Sequence, residues 1–217
     1  MADVSEKHPI KIPLQLECHQ CREPATIKIH LDATSFDWTC PRCGFYHPSF
    51  FGTDVTIGFL ILERSRYELL QEQDFSMAIV LSAMALDSEL SRLFGKWKQI
   101  DEELAGGVFE RDRCESELRD FRTIDRKIQA VSNLLVGKGI DDFVSSCSEV
   151  RQQIEKGFRS VRVGTLAKDF QEQLFWPRNK IVHWGDTKSS YDDAARCYSI
   201  AQLGLSVLRR MDEARRK

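Results

Sequence analysis

The run Arg178-Asn179-Lys180-Ile181-Val182-His183 holds the residue types with the widest chemical reach in this chain. Imidazole exchanges a proton near neutral pH, so a histidine here can deprotonate a ribose 2′-hydroxyl. Guanidinium keeps its charge and offers phosphate a planar fork, so Arg178 can hold the charge that builds on phosphorus. One Arg and one His are therefore a minimal set for cutting RNA without a metal. A surface Arg and a helix-terminal His that cap carbonyls would show the same spacing. Pro177 favours a first helical turn and Gly185 a helix end, which predicts a short helix over the run. In that helix Asn179 and His183 share a face, where the Asn179 amide is placed to orient the imidazole. Ile181 and Val182 are expected to anchor the turn in the core.

The Arg-Asn-x-x-x-His string resembles the signature of the HEPN superfamily, helical domains that often act as metal-independent endoribonucleases. The stretch Ala83-Met84-Ala85-Leu86-Asp87-Ser88-Glu89-Leu90 resembles the early HEPN helix, where an acid follows a small apolar run. The resemblance spans residues 55 to 212, and these two short stretches are its specific part. It implies that Arg178, Asn179 and His183 form the catalytic set, and that Asp87 faces the same cleft, fixing the His183 tautomer or pairing with Arg178. A solvated acid on a polar helix face is the alternative for Asp87 and the expectation for Glu89. The resemblance further implies a homodimer in which two motifs face one cleft. It also implies an RNA substrate, a toxin or phage-defence role, and an inhibiting or regulatory protein partner. In the toxin subset a Tyr follows the His by two positions and is modified by a partner; Gly185 stands there in this chain.

Cys18-His19-Gln20-Cys21 and Cys40-Pro41-Arg42-Cys43 are two C-x-x-C pairs with eighteen residues between them. That spacing matches a structural zinc site with ligands Cys18, Cys21, Cys40 and Cys43. Four thiolates close a tetrahedral shell and leave no open position for catalysis. Gly44 follows the second pair, where a knuckle needs positive φ. Residues 26–31 and 35–39 alternate in polarity, which predicts two knuckles joined by a small β-hairpin, a zinc ribbon. His19 and His47 are expected to be loop residues beside a complete four-Cys shell. Cys114, Cys147 and Cys197 are expected to be buried small apolar residues.

At 217 residues the chain can hold one sizeable core plus a small metal-held module. The expected division is a zinc ribbon over 1–52 and a HEPN-like helical bundle over 53–217, mainly α overall. Hydrophobic content of 42% and the lack of an eighteen-residue apolar run predict a chain that stays out of membranes. The absence of an apolar leader at its start predicts a cytoplasmic location. Net charge is −2, yet residues 151–180 carry seven Lys or Arg against three acids. That local excess is either an approach for RNA phosphates or a solvated helix face.

Several helices must position these groups. Ile79, Ala83, Leu86, Leu90, Leu93, Trp97 and Ile100 step by four and three, which predicts a long amphipathic helix ending at Ala105-Gly106-Gly107. Its stripe offers more apolar face than one bundle helix needs, which predicts a dimer interface as well. A charged helix is predicted from Phe109 to Val136, a third from an Asp141 cap to Phe158, and a fourth from Thr165 that Pro177 interrupts. Trp176 is biased away from helical dihedrals by the proline after it. Ser190-x-x-Asp193 predicts a capping box for the last helix. Trp176 and Trp184 flank the motif and are expected in the core, with base stacking the alternative. Phe36, Trp38, Phe45 and Tyr46 divide between the ribbon interior and a stacking surface. A non-catalytic adaptor, its ribbon binding nucleic acid or protein, is the competing functional class. A nucleotide sensor would need a Gly-rich phosphate loop that this sequence lacks.

Overall fold

A computed structural model describes residues 11–18, 20–21, 23–30, 38–47, 56–121, 123–158 and 161–216, and these are mainly helical. The expected boundary at 52/53 and the joint over 48–54 lie outside the described residues, as do His19, Phe36 and the His47 side chain.

Strands β1 (Lys11–Glu17) and β2 (Pro24–His30) pair antiparallel, with Ile12 opposite Ile29 and Leu14 opposite Ile27. Strands β3 (Trp38–Thr39) and β4 (Tyr46–His47) pair antiparallel as well. Each C-x-x-C pair therefore sits in the turn of its own hairpin, rather than two knuckles flanking one hairpin. The period-2 alternation of Ile12, Leu14 and Leu16 before the first cysteine gives residues 25–29 an earlier partner strand.

Nine helices are present among the described residues. Thr56 caps α1 (Ile57–Tyr67) by accepting the Phe59 N–H, and a π-helical turn over Glu68–Glu72 extends it. Asp74 caps the central helix α2 (Phe75–Leu104), its carboxylate accepting the Met77 N–H at 2.9 Å. The four-three stripe from Ile79 to Trp97 is buried within this one chain, against α1, α4 (Ile124–Val136), α8 (Trp176–Trp184) and α9 (Tyr191–Arg215). No surplus of that face is left for a second copy, so the stripe gives no reason to expect a dimer. Gly58 lets α1 approach α2 closely: a Cβ there would lie 2.7 Å from the Ala85 carbonyl oxygen.

The helix expected over 109–136 is two helices, α3 (Arg111–Asp120) and α4, with Phe121 and Thr123 in non-helical conformations between them. Phe121 turns inward to meet Phe94 edge-to-face at 5.6 Å, which a straight charged helix could not do. The helix expected over 141–158 breaks at Cys147 into α5 (Ile140–Ser146) and α6 (Ser148–Gly157). Asp141 does not cap α5, which begins after Gly139. Its carboxylate instead accepts the Leu166 N–H at 2.5 Å and caps α7 (Leu166–Phe170), where Thr165 makes no side-chain cap. Burial pushes the Asp141 carboxyl above its ordinary value.

Pro177 does not stop the chain's helical path. A π-helical turn over Gln171–Phe175 joins α7 to α8, and Trp176 is helical (φ −64, ψ −49). The wider turn absorbs the proline ring, and Pro177 cannot supply the N–H that Gln173 would receive from i+4. The Gln173 carbonyl instead accepts the Cys197 thiol at 3.2 Å. Burial, with Asp193 adding to it, raises that thiol to about 12, so it keeps its proton. Ser190 and Asp193 form the expected capping box at the start of α9.

Candidate functional site

Helix α8 is short and lies wholly at the surface, with no buried residue. Pro177 sits in its first turn and Gly185, at φ +66, ends it by donating its N–H to Ile181. The motif helix is placed as its sequence predicts, but its packing differs. Val182 is exposed, and only Ile181 packs against the core.

Arg178, Asn179 and His183 line one cleft of about 470 Å³, together with Asp87 from α2. Arg119 from α3, Thr123, Lys127 from α4 and Gln171 form the rest of its polar wall, with Ala83, Phe121 and Phe175 among the apolar part. The structure thus brings together all four residues singled out in the bundle. It does not join them in the expected pairs. Asn179 Oδ1 accepts from Arg178 Nη1 at 2.9 Å, so the amide steadies the guanidinium rather than the imidazole. Asp87 accepts from Lys127 Nζ at 2.6 Å, rather than from Arg178 or His183. The i,i+4 face argument failed for Asn179 because the adjacent Arg178 side chain is long enough to fold back onto it. His183 is exposed and has no hydrogen-bond partner among the described residues.

Three cations, Arg119, Lys127 and Arg178, line this cleft against the single acid Asp87, so its potential favours an anion. Of the described basic residues over 151–180, only Arg178 reaches it. Arg151 and Lys168 pair with Glu155 and Glu172 on exposed helix faces instead. Lys127 and Arg119 were missed in the sequence. Lys127 had a signal: it precedes Ile128, which opens the buried stripe Ile128, Val131, Leu135, and its side chain is only 12% exposed. Glu89, expected in solvent, is buried and held by both Arg92 Nε and Nη2. Trp176 and Trp184, expected in the core, are both exposed.

The four cysteines form one cluster in which every sulfur lies within 4.8 Å of the others, so they could hold a metal ion. Cys18 and Cys43 sulfurs are 3.6 Å apart, and Cys21 and Cys40 are 3.7 Å apart. The turns are shaped to present them. Cys18 donates its N–H to the Glu23 carbonyl, Cys40 to that of Phe45, and Gly44, at φ +71, to that of Cys40. The Cys40 thiol is drawn down to about 7, most by the Cys43 N–H, with the Arg42 N–H adding and desolvation opposing. The Glu23 and Phe45 N–H groups pull on the Cys21 and Cys43 thiols in the same sense, but desolvation and the neighbouring sulfurs outweigh them and leave both thiols raised, Cys43 to about 12. Of the other cysteines, Cys114 and Cys197 are buried and Cys147 is partly so.

Compared with family models, curated proteins and solved structures, the chain finds no match. No described helix is long and apolar enough to cross a membrane.

Proposed function

We propose that this chain is a metal-independent endoribonuclease of the HEPN kind, with a four-cysteine structural zinc ribbon ahead of its helical bundle. The observation that carries the reading is the meeting of Arg178, Asn179, His183 and Asp87 in one cleft whose cations outnumber its acids. His183 takes the proton from the 2′-hydroxyl, and the 2′-oxygen attacks the adjacent phosphorus. The Arg178 guanidinium, steadied by Asn179, receives the charge on the non-bridging oxygens. Lys127, held by Asp87, gives the phosphate a second positive contact. One such set lacks an obvious proton donor for the leaving 5′-oxygen, so the reading includes a homodimer in which a second His183 supplies it.

Zinc suits the cysteine cluster. Sulfurs about 2.3 Å from a tetrahedral zinc stand about 3.8 Å from one another, close to the two spacings seen here. Four thiolates saturate the ion, which then holds the two hairpins together and takes no part in cleavage.

The test is incubation of the full chain with single-stranded RNA in excess EDTA. Products should end in 2′,3′-cyclic phosphate, and a 2′-deoxyribose at the scissile position should block the cut. His183→Ala and Arg178→Ala should each lose about a hundredfold or more in rate. Equal rates for parent and both variants, or cleavage only after adding Mg²⁺, would overturn the reading.

A further inference from the structure

Trp176 and Trp184 begin and end α8, and they remain 49% and 65% exposed. Their rings meet edge-to-face, with centroids 5.5 Å apart at 89°. Lys180, halfway between them, holds its ammonium 5.9 Å from the Trp176 ring centroid. Residues 176, 180 and 184 recur every four positions and form one ridge along the helix. Asn179 and His183 form the next row round, and that row faces the cleft. The outer surface of the motif helix is thus an aromatic ridge with a cation in its middle. An anion-favouring cleft runs beside it.

Leaving two indoles in water forgoes the stabilisation that burial would give, and the core below is already filled by Phe170 and Leu174. The exposed parts of the two rings therefore contribute little to folding. An indole face beside a phosphate-sized cationic site matches an unpaired nucleotide, whose base can stack while its phosphate enters the cleft. A base pair in a duplex has both faces covered and cannot do this.

We propose that Trp176 and Trp184 form a stacking platform that selects single-stranded RNA and aligns the nucleotide flanking the scissile phosphate. The inference rests on the cleft taking an RNA phosphate, as in the proposed function. Lys180, beside the Trp176 ring, is placed to meet the next phosphate along the strand. Stacking fixes the base and leaves its hydrogen-bonding edge unread, so the platform discriminates strandedness more than sequence.

Binding can be separated from cutting by using a short mixed-sequence 2′-O-methyl oligoribonucleotide, which lacks the attacking hydroxyl. Fluorescence anisotropy should show the parent binding this single strand much more tightly than the same sequence in a duplex. Trp176→Ala with Trp184→Ala should weaken single-strand binding by roughly tenfold or more, while duplex binding stays the same. The Phe substitutions at both sites should restore most of the affinity. Arg178→Ala should instead flatten the salt dependence for both strands. Unchanged single-strand affinity in a double Ala variant with parental circular dichroism would overturn the platform. So would loss of a dimer in that variant by sedimentation, which would give the ridge to a second copy. A parent that binds the single strand but cuts no RNA would sink the nuclease and leave the platform standing. A parent that cuts, with a double variant that binds equally well, would do the reverse.

Discussion

Lys127 Nζ lies 2.6 Å from Asp87 Oδ1, inside the cleft that Arg178 and His183 also line. The pair joins α4 to α2, and the lysine side chain is far less exposed than the carboxylate, at 12% against 49%. Asp87 is therefore paired within the cleft with a cation and not with the imidazole.

That assignment predicts an order of effects. Lys127→Met should weaken RNA binding and lower the salt slope by about 0.7 for the lost contact on a single strand. Asp87→Asn should lower single-turnover cleavage in the parent but add little in a Lys127→Met background, because the two act as one unit. Additive losses in the double variant, with an altered pH profile from Asp87→Asn alone, would return the carboxylate to His183.

Cys40→Ser should strip the metal while sparing the bundle. Structural zinc sites of this kind gain about 10–16 kcal/mol of binding energy, which the small module would lose with the metal. Elemental analysis should fall from one zinc per chain toward none, and the helical circular dichroism of residues 56–216 should persist. Parent protein purified without chelator and carrying less than half an equivalent of zinc would count against the site.

The long central helix was legible because its apolar residues repeat without interruption from Ile79 to Trp97 and Gly106 marks its end, whereas the Asp74 cap at its start went unread. The last helix was legible through its Ser190–Asp193 box. Breaks without a glycine were not. Phe121 and Cys147 look like ordinary helical residues, and only their tertiary contacts bend the chain there. Pro177 misled in the other direction, since a π-helical turn accommodated it. In the cleft, residue types and spacing named Arg178, Asn179 and His183, and the resemblance named Asp87, but neither named their partners. Lys127 and Arg119 come from helices far away in sequence, and no local pattern ties them to Arg178.

Gly58→Ala should destabilise the fold more than Gly204→Ala. A Cβ at 58 meets the Ala85 carbonyl oxygen at 2.7 Å and the Glu89 Cβ at 3.0 Å, and the backbone oxygen cannot swing away. Overpacking of that sort costs about 1–3 kcal/mol, against about 1 kcal/mol regained from helix propensity. At Gly204 the closest atoms are the Leu86 methyls, at 2.8 and 3.2 Å, with Phe170 Cζ at 3.2 Å; the end of a leucine shifts more cheaply than a helix carbonyl, though both side chains are buried. Thermal melts of the two variants compare them directly. Equal midpoints would mean that the α1–α2 contact is looser than these distances require.

Asp212 gives the bundle a pH dependence of known sign. Burial alone would raise its carboxyl, but Lys96 Nζ, Trp97 Nε1 and Arg216 Nη2 all donate to it and bring it below its ordinary value. A carboxyl lowered on folding contributes stability that is complete above the unfolded value, about 3.9, and is lost as pH falls through the lower folded value. Asp212→Asn should therefore cost about 1.5–3 kcal/mol near neutrality, the scale of hydrogen bonds to a charged group. The gap between parent and variant should then close below about pH 4. Urea unfolding followed by tryptophan fluorescence measures it, since Trp97 reports on the same carboxylate. A gap that stays constant down to about pH 3 would show that the carboxylate's charge is not what holds α9 against α2.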